Sequence, residues 1–183
     1  MINEPEAFLN YFRSIHRRTL RDIEALPAPA ESWEPSRGEG EKGWGISQIV
    51  YHICESRIYF ASAYTGKGWR YDWPAPSTEK QSDWVPALEA SAVEFQKQIA
   101  GTPKEWLDRR IKMIDTDGTL SGWRILMMLL EHEVHHRSQI DPHPAPHPSP
   151  ATPAKPPTGS NPPRRQTRPP LSRGAASTSP PHP

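Results

Sequence analysis

Residues Glu131-His132-Glu133-Val134-His135-His136 contain the pattern H-E-x-x-H. On a helix it places two imidazoles four residues apart on one face, where they can share a metal, with a glutamate beside them as general base. Taken alone, the pattern describes a zinc peptidase in which Glu133 activates water. Such a peptidase usually needs a third ligand downstream, and the chain beyond Asp141 is proline-rich. Ile125, Leu129, His132 and His136 fall at i, i+4, i+7 and i+11, so the two histidines prolong an apolar stripe and turn inward. One inward histidine is more often a satisfied core residue than a ligand. Two on one stripe are harder to satisfy, since burying each without a partner costs about 1 to 3 kcal/mol. A third, His52, lies three residues past Ile49 and seven before Tyr59 on another helical segment, again on the core stripe. Three inward imidazoles from two helices form a nitrogen set that leaves positions open for water or substrate. Zinc, nickel and iron all suit such a set.

The neighbouring residues have plainer readings beside the chemical ones. His135 is one position off the stripe and is read as solvated or supporting. Glu55 could orient a ligand imidazole through its ring N–H, or form a surface ion pair. Glu133 is expected to point sideways, outside the inward stripe, and His16 to be exposed. Cys54 reads as a buried inert thiol, and Trp44, Trp84, Trp106 and Trp123 as core or pocket walls.

Four helical segments must position these residues. Phe8, Phe12, Ile15, Thr19, Ile23 and Leu26 recur at three- and four-residue steps until Pro27 and Pro29 stop the first helix. After a polar loop, Gly45 with Gln48 starts a second helix over about Ile46 to Tyr64, and Gly66 ends it. A connector long enough for a crossover leads to a third helix, capped by Ser82 or Asp83, with Val85, Leu88, Ala92, Phe95 and Ile99 as its stripe. Pro86 is placed in its first turn, where no backbone bond is lost. Asp117-Gly118 marks a turn between two short extended pieces. The fourth helix starts near Ser121 and ends at Asp141-Pro142. The pattern predicts an all-α fold, a four-helix bundle with a long crossover connection over residues 1–141, the architecture in which metal sites are built between facing helices.

Composition separates that bundle from the C-terminal segment. Pro142 to Pro183 holds 15 of the chain's 23 prolines, five basic residues and no acid. Of the 22 basic and 21 acidic residues, 17 and 21 remain in the bundle, which is therefore acidic and offers no case for nucleic acid. The segment 142–183 lacks the apolar residues to bury a core and is expected to be a disordered proline-rich basic tail. His143 and His147 alternate with proline there and could bind metal weakly, although solvation is the simpler reading. A frameshift in the gene would leave the same abrupt change of composition. The longest apolar run, Ile125 to Leu130, is six residues against the ~20 that span a bilayer. One cysteine and no leader-like N-terminus make a cytoplasmic address the default expectation.

His52 on the second helix, together with His132, His136, Arg137 and Gln139 in an H-x-x-x-H-R-x-Q arrangement on the last, resembles the DinB, or YfiT-like, family over about residues 4 to 141. Trp44-Gly45-Ile46 before the first ligand helix and Glu131-His132 in the second fit it as well. The resemblance implies a divalent metal centre of His52, His132 and His136 in a bundle that is often dimeric. It also implies a thiol-dependent transferase or isomerase using a low-molecular-weight thiol, whose pKa the metal would lower. Ser138 stands where many relatives have glycine, and the last helix stops early at Pro142. A hydrolase acting through metal-activated water, and a non-catalytic metal or ligand binder, are the competing expectations.

Overall fold

The computed structural model describes residues 3–33, 43–71 and 73–140. The proline-rich segment, with His143 and His147, lies outside the described residues. Helix α1 spans Pro5–Glu24, α2 Ile46–Thr65, α3 Gln81–Ile99 and α4 Gly122–Ile140, with a short hairpin of β1 (Arg110–Lys112) and β2 (Thr119–Ser121) before α4. The ends follow local chemistry. The Gly45 amide donates to the Gln48 side chain at 3.0 Å, and Gly66 closes α2 in the left-handed region at φ 84°, which a Cβ would disfavour. The hairpin pairs Ile111 with Leu120 around the Asp117-Gly118 turn.

One boundary differs from expectation. Helix α3 is capped at Lys80, whose amide donates to Asp83, so Pro86 lies inside the helix rather than in its first turn. Its ring removes the bond that Ser82's carbonyl would accept. Both residues are exposed, so water can take that place.

Helix α2 packs against α3 and α4, and α1 packs against the same two, which puts α1 and α2 at opposite corners of the bundle. The core has two apolar halves. Phe8 and Phe12 of α1 meet Ala61 and Tyr64 of α2, Phe95 and Ile99 of α3, and Ile125 and Leu129 of α4. At the other end Ile23 meets Ile46, Val50, Ile53, Trp84, Leu88 and Ile140. The start of α1 thus lies beside the ends of α2 and α3 and the start of α4. Helices α1 and α4 run parallel, and α2 and α3 run together the opposite way. Two neighbouring parallel helices need a connection as long as themselves, which residues 66–80 supply. Between the apolar halves, buried polar residues from all four helices meet, among them Thr19, Arg57, Ser91 and Glu133.

Among the described residues no helix is long and apolar enough to cross a membrane. Gly122, where β2 turns into α4, is enforced by packing, because a Cβ there would stand 2.0 Å from the Trp106 carbonyl oxygen. Of the four tryptophans expected to be core or pocket walls, Trp84 is fully buried, Trp44 walls a cleft and Trp106 is partly buried against the core. Trp123 is 45% exposed and forms neither core nor wall.

Candidate metal centre

Helices α2 and α4 run antiparallel, so the second turn of α2 lies against the last turns of α4. His52 reaches across that seam, and its Nε2 lies 3.0 Å from Nε2 of His132. The His136 ring is 4.6 Å from that of His52 and 4.4 Å from that of His132 between centroids. One ligand nitrogen from each of the three lies within 4.8 Å of the others. These are the three histidines singled out by spacing, and the fold brings them together.

Their chemistry suits a cation. Burial, then the nearby His136, lowers the pKa of His52 to about 4, and burial with the neighbouring histidines does the same for His132. At neutral pH both rings are uncharged and have a lone pair to offer, the state a metal ligand requires. Nitrogens at about 2.0 to 2.1 Å from a shared ion, at angles near 90° to 110°, are about 2.9 to 3.4 Å apart. The His52–His132 separation falls in that range. Nδ1 of His136 is hydrogen-bonded to the Gln139 side chain at 2.8 Å, which fixes that ring and leaves Nε2 for the cluster. Nδ1 of His132 is buried with no hydrogen-bond partner in the structure.

Trp44 covers the group, its ring 4.8 Å from His52 edge-on and 5.8 Å from His136 in a stack. A cleft of about 450 Å³ opens beside His52, lined by Trp44, Gln48, Tyr51, Glu55 and Glu79 among others. Glu55 lines the cleft beside Tyr51, whose pKa its carboxylate raises, and makes no hydrogen bond to a ligand ring among the described residues. His135 is exposed and lies 3.4 Å from the Gln139 amide nitrogen. Cys54 is buried and its thiol pKa is raised by that burial, as an inert core cysteine requires.

Residues 1–141 match the family model described as DinB family. The chain belongs to the DinB family. Its fold is similar to a solved DinB-like protein from Bacillus subtilis, with 20% identity, a TM-score of 0.59, and coverage of 73% of this chain and 87% of that one. A DinB-like protein from Bacillus cereus aligns at 22% identity and TM-score 0.53, covering 76% and 90%. At those identities the likeness establishes the shared bundle. No curated protein matches the chain.

In this DinB chain Glu133 is not where its spacing suggested. Residues Gly122, Leu126, Leu129, Glu133, His136 and Ile140 are all buried, so the line facing the bundle axis runs through Glu133 and leaves His132 at its edge. The hundred-degree step from His132 turns the glutamate inward, not sideways. There Arg57 donates Nε to one carboxylate oxygen at 3.1 Å and Nη2 to the other at 2.6 Å, and the Thr19 hydroxyl adds a bond of 2.9 Å. Burial alone would raise the Glu133 pKa, but the Arg57 charge and these bonds outweigh it and hold it low. An ionised carboxylate tied to a guanidinium is a poor general base, which removes the peptidase role.

His16 is likewise misplaced by a surface reading. It is half-buried, its Nδ1 lies 3.1 Å from Arg57 Nη2, and burial followed by the Arg57 charge lowers its pKa to about 4. Arginine has only donors, so Nδ1 is the acceptor and the ring is neutral. With Nη1 donating to the Leu88 carbonyl and the Ser91 hydroxyl, all five N–H groups of Arg57 are satisfied without water. Sequence reasoning missed Arg57 altogether.

Proposed function

We propose that His52, His132 and His136 hold one divalent metal ion and that this DinB protein is a metal-dependent enzyme, a transferase or isomerase using a low-molecular-weight thiol. The observation that carries the metal is the meeting of three uncharged imidazoles from two helices, two of them with nitrogens 3.0 Å apart. When bound, zinc, nickel or iron would act as a Lewis acid that lowers the pKa of a thiol or water meeting it. The chain's own residues do the rest. The Gln139 side chain holds the His136 ring in place, Trp44 shields the cluster from bulk water, and the cleft beside His52 admits a small molecule. The thiol rests on family resemblance, and no partner larger than a small molecule is needed.

A hydrolase is the second reading, favoured by the same cleft, since water could take the place of the thiol. The test is metal content per chain, followed by turnover of electrophilic and ester substrates with and without added thiols, each with a chelator control. About one ion per chain and turnover that requires both thiol and metal is the expected result. Turnover without thiol selects the hydrolase. Metal uptake with no turnover selects a binder, and no uptake at all rejects the metal site.

A further inference from the structure

We infer that the buried Arg57–Glu133 pair is the positioning element of the histidine cluster: it sets the register of α2 against α4 that brings His52 onto His132. The inference rests on the metal reading for its purpose, and on the geometry of the bundle for its substance.

The two partners are fully enclosed, at 0% and 1% side-chain exposure, and joined by two bonds of 3.1 and 2.6 Å. Glu133 is the residue after His132 and lies three before His136, while Arg57 follows His52 by five positions on α2. The pair therefore joins the same two helices as the cluster, within about one and a half turns of it. It also fixes them to the rest of the bundle. Arg57 reaches the Leu88 carbonyl and Ser91 on α3 at 2.7 and 2.8 Å, and Glu133 and Arg57 reach Thr19 and His16 on α1.

A buried ion pair gives little net stability, because desolvating both charges offsets most of their attraction. Its energy instead depends steeply on geometry. Sliding α4 by about one turn along α2 would set the carboxylate against Ile53 or Ala61, both apolar and buried, and leave two enclosed charges unpaired. Leucines and isoleucines at the seam impose no such penalty, since one apolar contact replaces another. The cluster needs that discrimination. Its nitrogens must agree to fractions of an ångström, and a fork-shaped, two-bond contact supplies directional restraint that apolar packing lacks.

The test separates positioning from stability. The double variant Arg57→Met/Glu133→Leu keeps the volume and removes both charges, so the bundle is expected to remain helical and to unfold cooperatively. Its zinc affinity, measured by competition with a chromophoric chelator, should fall by about tenfold or more. In the metal-free protein, nuclear Overhauser contacts between the His52 and His132 rings, expected in the wild type from their 3.0 Å approach, should be lost. A folded double variant with wild-type zinc affinity and intact ring contacts overturns the inference. Where the double variant does not fold, Glu133→Gln, which keeps the shape and part of the bonding, is read by the same two measures, with a smaller fall expected. If the wild-type protein takes up none of zinc, nickel or iron, the metal reading fails. The ring contacts in the metal-free variant then decide the register claim by themselves.

Discussion

One peptide step separates two different environments on α4: Glu133 takes two bonds from Arg57 inside the bundle, while its neighbour His132 meets His52 at 3.0 Å on the seam. The glutamate of the H-E-x-x-H pattern serves structure, and the histidines serve the candidate site.

Replacing Glu133 by glutamine leaves the Arg57 cation enclosed with a neutral partner. Breaking a buried pair in this way costs about 3 kcal/mol, so urea unfolding should show a markedly lower midpoint with an unchanged slope. Any turnover the variant loses should return with excess zinc, because nothing in the chemical step is missing. A peptidase base would behave in the opposite way, with metal retained and activity gone beyond rescue.

His52→Ala should bring metal content well below one ion per chain while far-ultraviolet circular dichroism stays that of the wild type. The ring is half-buried at the seam and contributes little to either apolar half of the core. Full occupancy in this variant would show that the α4 pair suffices.

Stability should fall as the pH drops below the ordinary histidine range. His16 titrates at about 4 in the folded protein, displaced by burial and by Arg57, and near 6.5 once unfolded. Between those values the unfolded chain binds a proton that the folded chain refuses, so stability is fully present above about pH 6.5 and is lost towards pH 4. His52 and His132 add in the same direction. In His16→Gln, whose side-chain oxygen can accept from Arg57, the melting temperature should decline less steeply across this window. Identical slopes would exclude His16 as a source.

Gly122→Ala should be among the most damaging single changes in the bundle. The added Cβ would meet the Trp106 backbone, which cannot move aside as a side-chain tip can. Overpacking of this kind costs about 3 kcal/mol. A thermal melt within a degree or two of wild type would refute the close approach.

The sequence disclosed the elements well where a local rule governs them. Gly66, the Asp117-Gly118 turn and the presence of four helices all predict what is observed, and so does the convergence of His52, His132 and His136. What escaped detection was the polar layer, and the reason is physical. A charge on a helix is normally solvated, and its burial becomes visible only through a partner, here 76 residues away. The signal was present in the periodicity. Phe12, His16, Thr19 and Ile23 follow the same four-three-four spacing as Ile125, Leu129, His132 and His136, and Arg57 lies four residues from both Ile53 and Ala61. The boundary of α3 failed for a different reason: Lys80 caps with its backbone, which no side-chain preference announces.

The diagonal placement of α1 and α2 has a consequence for how the chain reaches this structure. Helices consecutive in sequence usually dock first as a hairpin, yet here α1 packs with α3 and α4, and α2 reaches its one consecutive neighbour, α3, only by way of the crossover. No two-helix unit joined by a tight turn is available as a nucleus, so the ordering of long intervening segments must precede most of the contacts that reward it. Among helical proteins of this size the bundle should therefore be a slow folder. The histidine cluster, closing across 80 residues, would be among the last features to assemble and the first to report incomplete folding.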